Sequence, residues 1–150
     1  MEKEITIFTS EAAFFEMSRL LDSWEDDPHK IKKAFGEVRD RFLKMEKTVL
    51  SFVSRPGVSY SLRAEFRDNN EKKKPLYALV DIIDDDPENR WLSICFYEDS
   101  VTDPRKVGNL VPQGILGDDG YCFDLEAYDE SMIRYVGERI VEAHSRMTES

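Results

Sequence analysis

The decapeptide VSYSLRAEFR, Val58–Arg67, changes side-chain character at every step. Val58, Tyr60, Leu62, Ala64 and Phe66 would face one way, and Ser59, Ser61, Arg63, Glu65 and Arg67 the other. Successive side chains of a strand point to opposite faces, so strict period two with one wet side marks a strand of an antiparallel sheet. Its neighbours agree. TVLSFVS (Thr48–Ser54) precedes it and is broken off by Arg55-Pro56-Gly57, where proline presets φ and glycine admits a positive φ. PLYALVDII (Pro75–Ile83) and RWLSICFY (Arg90–Tyr97) follow as two more apolar runs bounded by turn formers. Asp119-Gly120 signals a tight turn before a last short strand, Tyr121–Leu125.

Outside this block the period changes to that of a helix. Phe14, Met17, Leu21 and Trp24 form one stripe after Ser10, a residue able to accept from first-turn amides, and Ala13 and Leu20 widen it. Asp27-Pro28 reads as the start of a second helix, with Asp27 as cap and Pro28 at the first helical position. Ile31, Phe35, Val38, Phe42 and Met45 form its buried face. Ile133, Val136, Ile140, Ala143 and Met147 do the same for a closing helix over about Asp129–Met147. A further short strand is expected at Ile5–Phe8. The fold class that follows is α+β: two N-terminal helices, an antiparallel sheet of about five strands in a meander, and one C-terminal helix packed on one face. At 150 residues this is one domain, long enough to bury a core unaided.

Charge restricts the partners. A net charge of −10 opposes binding to a polyanion, so no nucleic acid is expected. The basic run Lys72-Lys73-Lys74 reads as a hairpin tip. No stretch approaches the ~18 apolar residues of a membrane span, and no signal-like apolar run follows Glu2-Lys3-Glu4, so a cytoplasmic location is expected. Cys95 and Cys122 each interrupt an apolar run and read most simply as free buried thiols of a reducing compartment.

Two acidic regions are candidate cation ligands. One holds Asp84, Asp85, Asp86 and Glu88; the other holds Asp118, Asp119 and Asp124. An EF-hand loop needs glycine at its sixth position and glutamate at its twelfth. Counting from Asp84 gives Asn89 and Cys95, and counting from Asp81 gives Asp86 and Leu92, so both frames fail. A solvated turn is the plainer reading of the first region, and a turn leading into an acid-rich first helical turn that of the second. His29 and His144 stand alone, so no zinc spacing or catalytic dyad is marked, and no phosphate-cradling glycine loop occurs.

The other candidate is the second face of the sheet. Depending on register, it could collect Tyr77, Leu79, Trp91, Cys95 and Tyr97 with Ser59, Ser61, Arg63 and Glu65. Arg63, flanked by Ser61 and Glu65 and faced by Trp91 and Tyr97, is suited to an anion or a planar ligand. The alternatives are a plain exposed face with an Arg–Glu pair and a homodimer contact. From about Thr48 onward, through SLRAEF (61–66), PLYALVDII and YVGERIVEA (135–143), the chain resembles small bacterial α+β domains of the frataxin-like iron-chaperone type. The resemblance implies that fold and a role with iron, and carries over no individual residue. The expected function is a non-enzymatic binding or protein-interaction module that needs no cofactor. A divalent-cation-binding protein and an enzyme with a carboxylate site in the long segment after Glu98 are the alternatives.

Overall fold

The computed structural model describes residues 6–67 and 74–149. Helices α1 (Glu11–Ser23) and α2 (Ile31–Leu43) come first. Strands β1 (Thr48–Arg55), β2 (Ser59–Phe66), β3 (Ala78–Ile83), β4 (Trp91–Tyr97), β5 (Asn109–Ile115) and β6 (Asp118–Leu125) follow, and helix α3 (Glu130–Glu149) closes the chain. The fold is α+β with a six-stranded antiparallel sheet ordered β1-β2-β3-β4-β6-β5.

The alternation of β2 sets the two sides of the sheet. Leu62 is fully buried and pairs with Phe52 on β1 and Val80 on β3; with Leu50, Ala64, Phe66, Ile82, Leu92, Ile94, Phe96 and Phe123 it forms the helix-covered side of the core. The helices contribute most of the stripes their spacing predicts: Phe14, Met17 and Trp24 from α1 and its cap, with Leu20 buried in place of the only partly buried Leu21; Ile31, Phe35, Val38 and Phe42 from α2, with Met45 beyond its end partly buried; and Ile133, Val136, Ile140, Ala143 and Met147 from α3. Burial of a side chain of this size is worth ~1.5–3 kcal/mol, so the helical layer contributes heavily to stability.

Local signals hold in part. The Ser10 hydroxyl accepts from the Ala13 amide and caps α1. The β1–β2 turn closes through a Val58 N–H to Arg55 carbonyl bond, with Gly57 at φ 83°. Helix α2, however, begins at Ile31, three residues beyond the position expected from Pro28. The Asp27 carboxylate reaches over the intervening turn and accepts from the amides of both Ile31 and Lys32 at 2.9 Å, so it still serves the helix start from a distance. His29 therefore lies in that turn, and its carbonyl accepts from the Tyr128 amide.

Four other expectations change. The long segment after Tyr97 contains a 3-10 turn (Glu98–Ser100) and a sixth strand, β5, which lies on the sheet edge while β6 returns between it and β4. The β5–β6 turn is at Leu116-Gly117, both left-handed with φ of 50° and 88°, and Asp119-Gly120 lies within β6. The pairing of Cys95 with Cys122 across β4 and β6 brings their Cα atoms to 4.1 Å and joins the sulfurs as a disulfide. No free cysteine remains, and the thiol argument for a reducing compartment falls with it. Near the N-terminus, among the described residues, only Phe8 bridges Leu50; Ile5 lies outside the described residues, as do residues 68–73, where a hairpin tip is expected from the sequence. Among the described residues no helix is long and apolar enough to cross a membrane.

Candidate functional site

The second face of the sheet carries no helix, yet much of it is buried. Leu79, Cys95, Tyr97 and Cys122 project from β3, β4 and β6 on this side and are each less than 5% exposed. The cover comes from the chain itself. After Val111 the β5 register breaks, and the strand bends so tightly that a Cβ on Gly114 would stand 2.5 Å from the Val111 side chain. Gln113, also left-handed, is tied down by its amide to the Asp119 carboxylate. Ile115 is completely buried, and its side chain lies 3.5 Å from where Gly120 would carry a Cβ. Gly120 pairs with Tyr97, so the hairpin tip is folded onto the helix-free face as a roof.

Under this roof is a cleft of about 310 Å³. Its walls are Val53 and Arg55 from β1, Ser59, Ser61 and Arg63 from β2, Leu79 and Asp81 from β3, and Gln113, Gly114, Leu116 and Gly117 from the hairpin. The register brings these residues together, since Ser61 pairs with Val53 and Asp81, and Arg63 with Leu79. Arg63 Nε donates to the buried Ser61 hydroxyl at 3.2 Å. Burial pushes the Asp81 carboxyl above its ordinary range, with Ser61, Arg63 and Arg55 pulling in the opposite direction without cancelling the effect. Neither Arg55 nor Arg63 forms an ion pair with a carboxylate among the described residues.

Of the residues proposed from the sequence, Ser61 and Arg63 line the cleft. Glu65 shares their face but accepts from Ser51 at 2.6 Å and stays outside. Trp91 and Tyr97 also share the face. They stand six residues apart on one strand, roughly 20 Å at ~3.3 Å per residue, and neither lines the walls. Lys74 lies over the Tyr97 ring at 4.9 Å, and burial with nearby Asp118 pushes the phenol up to about 12. Tyr77 is on the helix side, packed against Phe66, Phe42 and His144, because it precedes the regular part of β3. Arg55, Asp81 and the roof were missed. Arg55 was absorbed into a turn signal and Asp81 into an acidic run, although the alternation of PLYALVDII places Asp81 with Leu79.

The two acidic regions do not meet. Asp84 to Glu88 form the β3–β4 turn, whereas Asp118 and Asp119 begin β6 at the opposite end of the sheet. Asp84 is buried against Arg90 at 2.7 Å and accepts from the Gly57 amide at 2.9 Å. Asp86 is exposed and accepts from the side chain of Asn89 and the amide of Glu88, which hold its carboxyl below the usual range. Asp85 and Glu88 are exposed. Asp118 pairs with Lys74 at 3.0 Å, and Asp124 is exposed opposite Ser93. Among the described residues no group of three or more His, Cys, Asp or Glu is placed to hold a metal ion. Asp84, Asp86, Asp118 and Asp119 already serve a turn or a pair, and Asp85, Glu88 and Asp124 stand exposed without converging on them.

In the segment after Glu98, Asp103 accepts from Tyr121 Oη at 2.5 Å and Tyr135 Oη at 2.6 Å, and from the amides of Val107 and Gly108. Burial raises its pKa, but these four donors outweigh that and hold it at about 2. A carboxylate so fully engaged pins the β4–β5 connection to β6 and α3 and has little capacity left for a proton or a metal.

No family model, curated protein or solved structure matches the chain, and nothing in that result bears on the resemblance to frataxin-like domains.

Proposed function

We propose that the chain is a non-enzymatic binding module that holds a small ligand in the cleft between the second sheet face and the β5–β6 hairpin. The observation that carries this reading is the roof. A hairpin folds over a helix-free face and encloses a cleft of about 310 Å³ whose walls combine charged, hydroxyl and aliphatic side chains. That volume and mixture suit a small molecule. Binding is favoured over catalysis by the composition of the walls. Ser61 accepts from Arg63, and Asp81 is the one carboxylate among the lining residues; His144 packs on Phe66 and Tyr77, on the helix side. A hydroxyl beside one carboxylate, with no imidazole near, lacks the base-and-orienter pair of an activated nucleophile. Leu79, Cys95, Tyr97 and Cys122 are buried within the single chain, Leu79 beside the hairpin, so their burial does not call for a second subunit.

The test is a thermal-shift screen of small polar fragments against the protein and a Ser59→Trp variant, whose indole would occupy the cleft. A fragment at 100 times its Kd should stabilise the parent by ~2.7 kcal/mol and leave the variant unmoved. Equal shifts in both proteins would place binding elsewhere and refute the reading.

A further inference from the structure

We propose that the ligand of this cleft is a small monocarboxylate with an aliphatic body, its carboxylate held by Arg63 and Arg55 and its body lying against Val53, Leu79 and Leu116. The inference rests on the reading of the cleft as a binding site and adds the chemical class.

Three observations carry it. The first is charge balance. The walls hold two guanidinium groups and one carboxylate, Asp81. Neither arginine is within ion-pair distance of an acid among the described residues. The walls therefore carry a local excess of one positive charge, with Arg55 exposed and Arg63 half-buried, in a chain whose net charge is −10. A monoanion closes this balance, whereas a cation would add to it and a dianion would exceed it. The second is geometry. Arg63 uses Nε on Ser61, which orients the guanidinium, and its terminal nitrogens have no hydrogen-bond partner among the described residues. A guanidinium fork matches the planar oxygens of a carboxylate, often through two parallel bonds. The third is the remaining wall. Val53, Leu79 and Leu116 are aliphatic and come from β1, β3 and the roof, so they surround the space beside the arginines. Leu79 is already buried, but Val53 is half-buried and Leu116 exposed; an inorganic oxyanion would leave these two facing water, whereas a short alkyl chain would cover them. The roof contributes Leu116 through a left-handed backbone, φ 50°, which a β-branched or bulky residue adopts only at a cost. Leu116 lines the cleft from there while remaining exposed at its outer side.

The experiment is an amide-resonance titration of the full chain with hexanoate, hexanamide, hexylamine and inorganic phosphate. It is repeated in Arg63→Met and Asp81→Asn after each variant is shown to retain a dispersed spectrum. Hexanoate should shift the resonances of Ser61, Arg63, Gly114 and Gly117. Hexanamide should bind at least tenfold more weakly, and Arg63→Met should lose at least tenfold in hexanoate affinity. Asp81→Asn, which removes the competing negative charge, should bind hexanoate more tightly. Hexylamine or phosphate matching hexanoate, or unchanged affinity in Arg63→Met, would overturn the carboxylate assignment and leave the cleft as a binding site for another class. If none of the four probes moves a cleft resonance, the proposal fails here; a hit in the fragment screen would then keep the broader reading alive, and its absence there would end both.

Discussion

Replacing Asp84 by alanine separates the two meanings of the acidic turn. If Asp84 is a structural anchor, its loss is expensive; if it belongs to a cation site, its loss relieves repulsion in the free protein. In the structure its side chain is 4% exposed and that of its partner Arg90 12%, with Nε and Oδ1 2.7 Å apart. The other carboxylate oxygen accepts from the Gly57 amide, so one side chain ties the β3–β4 turn to the β1–β2 turn. Arg90 in turn lies over the Trp24 and Tyr60 rings, at 4.9 and 5.9 Å from their centroids. Removing one member of a buried pair strands the other charge and costs ~3–5 kcal/mol. That is a large part of the ~5–15 kcal/mol by which domains are stable, and it corresponds to a fall in Tm of ~10 °C. The assay is urea unfolding followed by tryptophan fluorescence, since Trp24 reports directly on Arg90. Arg90→Met keeps an apolar stem against the rings and leaves no guanidinium stranded. The double variant Asp84→Ala/Arg90→Met should therefore be more stable than Asp84→Ala alone, a coupling that the double-mutant cycle isolates. A loss below ~1 kcal/mol in Asp84→Ala, or a double variant less stable than either single one, would refute the anchor. So would a Ca²⁺- or Fe²⁺-induced rise in Tm that vanishes with Asp84.

Three further predictions concern the scaffold of the roof. Asp103 has its folded pKa depressed from 3.8 to about 2, so its contribution is present above pH 4 and disappears as pH falls from 4 toward 2. A dry group would be worth ~2.4 kcal/mol on that drop at 1.36 kcal/mol per pKa unit; screening of this partly exposed carboxylate brings it to ~1 kcal/mol. Asp103→Asn should accordingly flatten the acid limb of the stability–pH curve, measured by urea midpoints between pH 2 and 5. A Cβ on Gly108 would stand 2.5 Å from the Tyr121 ring and 2.8 Å from the Phe123 ring, the latter fully buried, so Gly108→Ala should cost ~1–3 kcal/mol by overpacking, read as a lowered denaturation midpoint. Opening the Cys95–Cys122 bridge in a Cys95→Ser/Cys122→Ser variant frees a closure spanning 27 residues and should cost ~3 kcal/mol, with the same decrease on adding reductant to the parent but not to the variant.

The parts of the fold that local periodicity governs could be read from the chain. Leu62 and Arg63 fall on opposite sides of β2 because adjacent side chains of any strand must, and Phe35, Val38 and Phe42 share a face of α2 because 3.6 residues make a turn. β5 escaped because it obeys neither period. Its residues before Ile115 are exposed, it contains Pro112, and its register slips after Val111, so no alternation records which side is buried. The disulfide escaped for a different reason. A meander without β5 already sets Tyr121–Leu125 beside Arg90–Tyr97; what neither segment encodes alone is the register that keeps Cys95 directly opposite Cys122 once β5 takes the outer position in the strand order.

The same strand order explains why the site was half visible. Had the strands followed one another in sequence, β5 would lie beside β4, and the turn into β6 would fall at the sheet margin. With β6 inserted, the β5–β6 tip begins from the outer edge and has one free direction, back across the helix-free face, where Ile115 is buried. Ser61 and Arg63 were legible because a strand carries them. The surroundings that turn them from a solvated pair into a cleft wall come from Gln113, Gly114, Leu116 and Gly117, some fifty residues later. Those residues show no pattern of their own beyond Gly-x-x-Gly, the minimum needed for a chain to reverse tightly. The cleft is therefore a property of the edge hairpin as much as of the sheet. Lengthening the tip by two residues should abolish ligand binding while leaving the helix-side core, and hence most of the stability, in place. Retention of binding in that insertion variant would mean that the roof is incidental to the site.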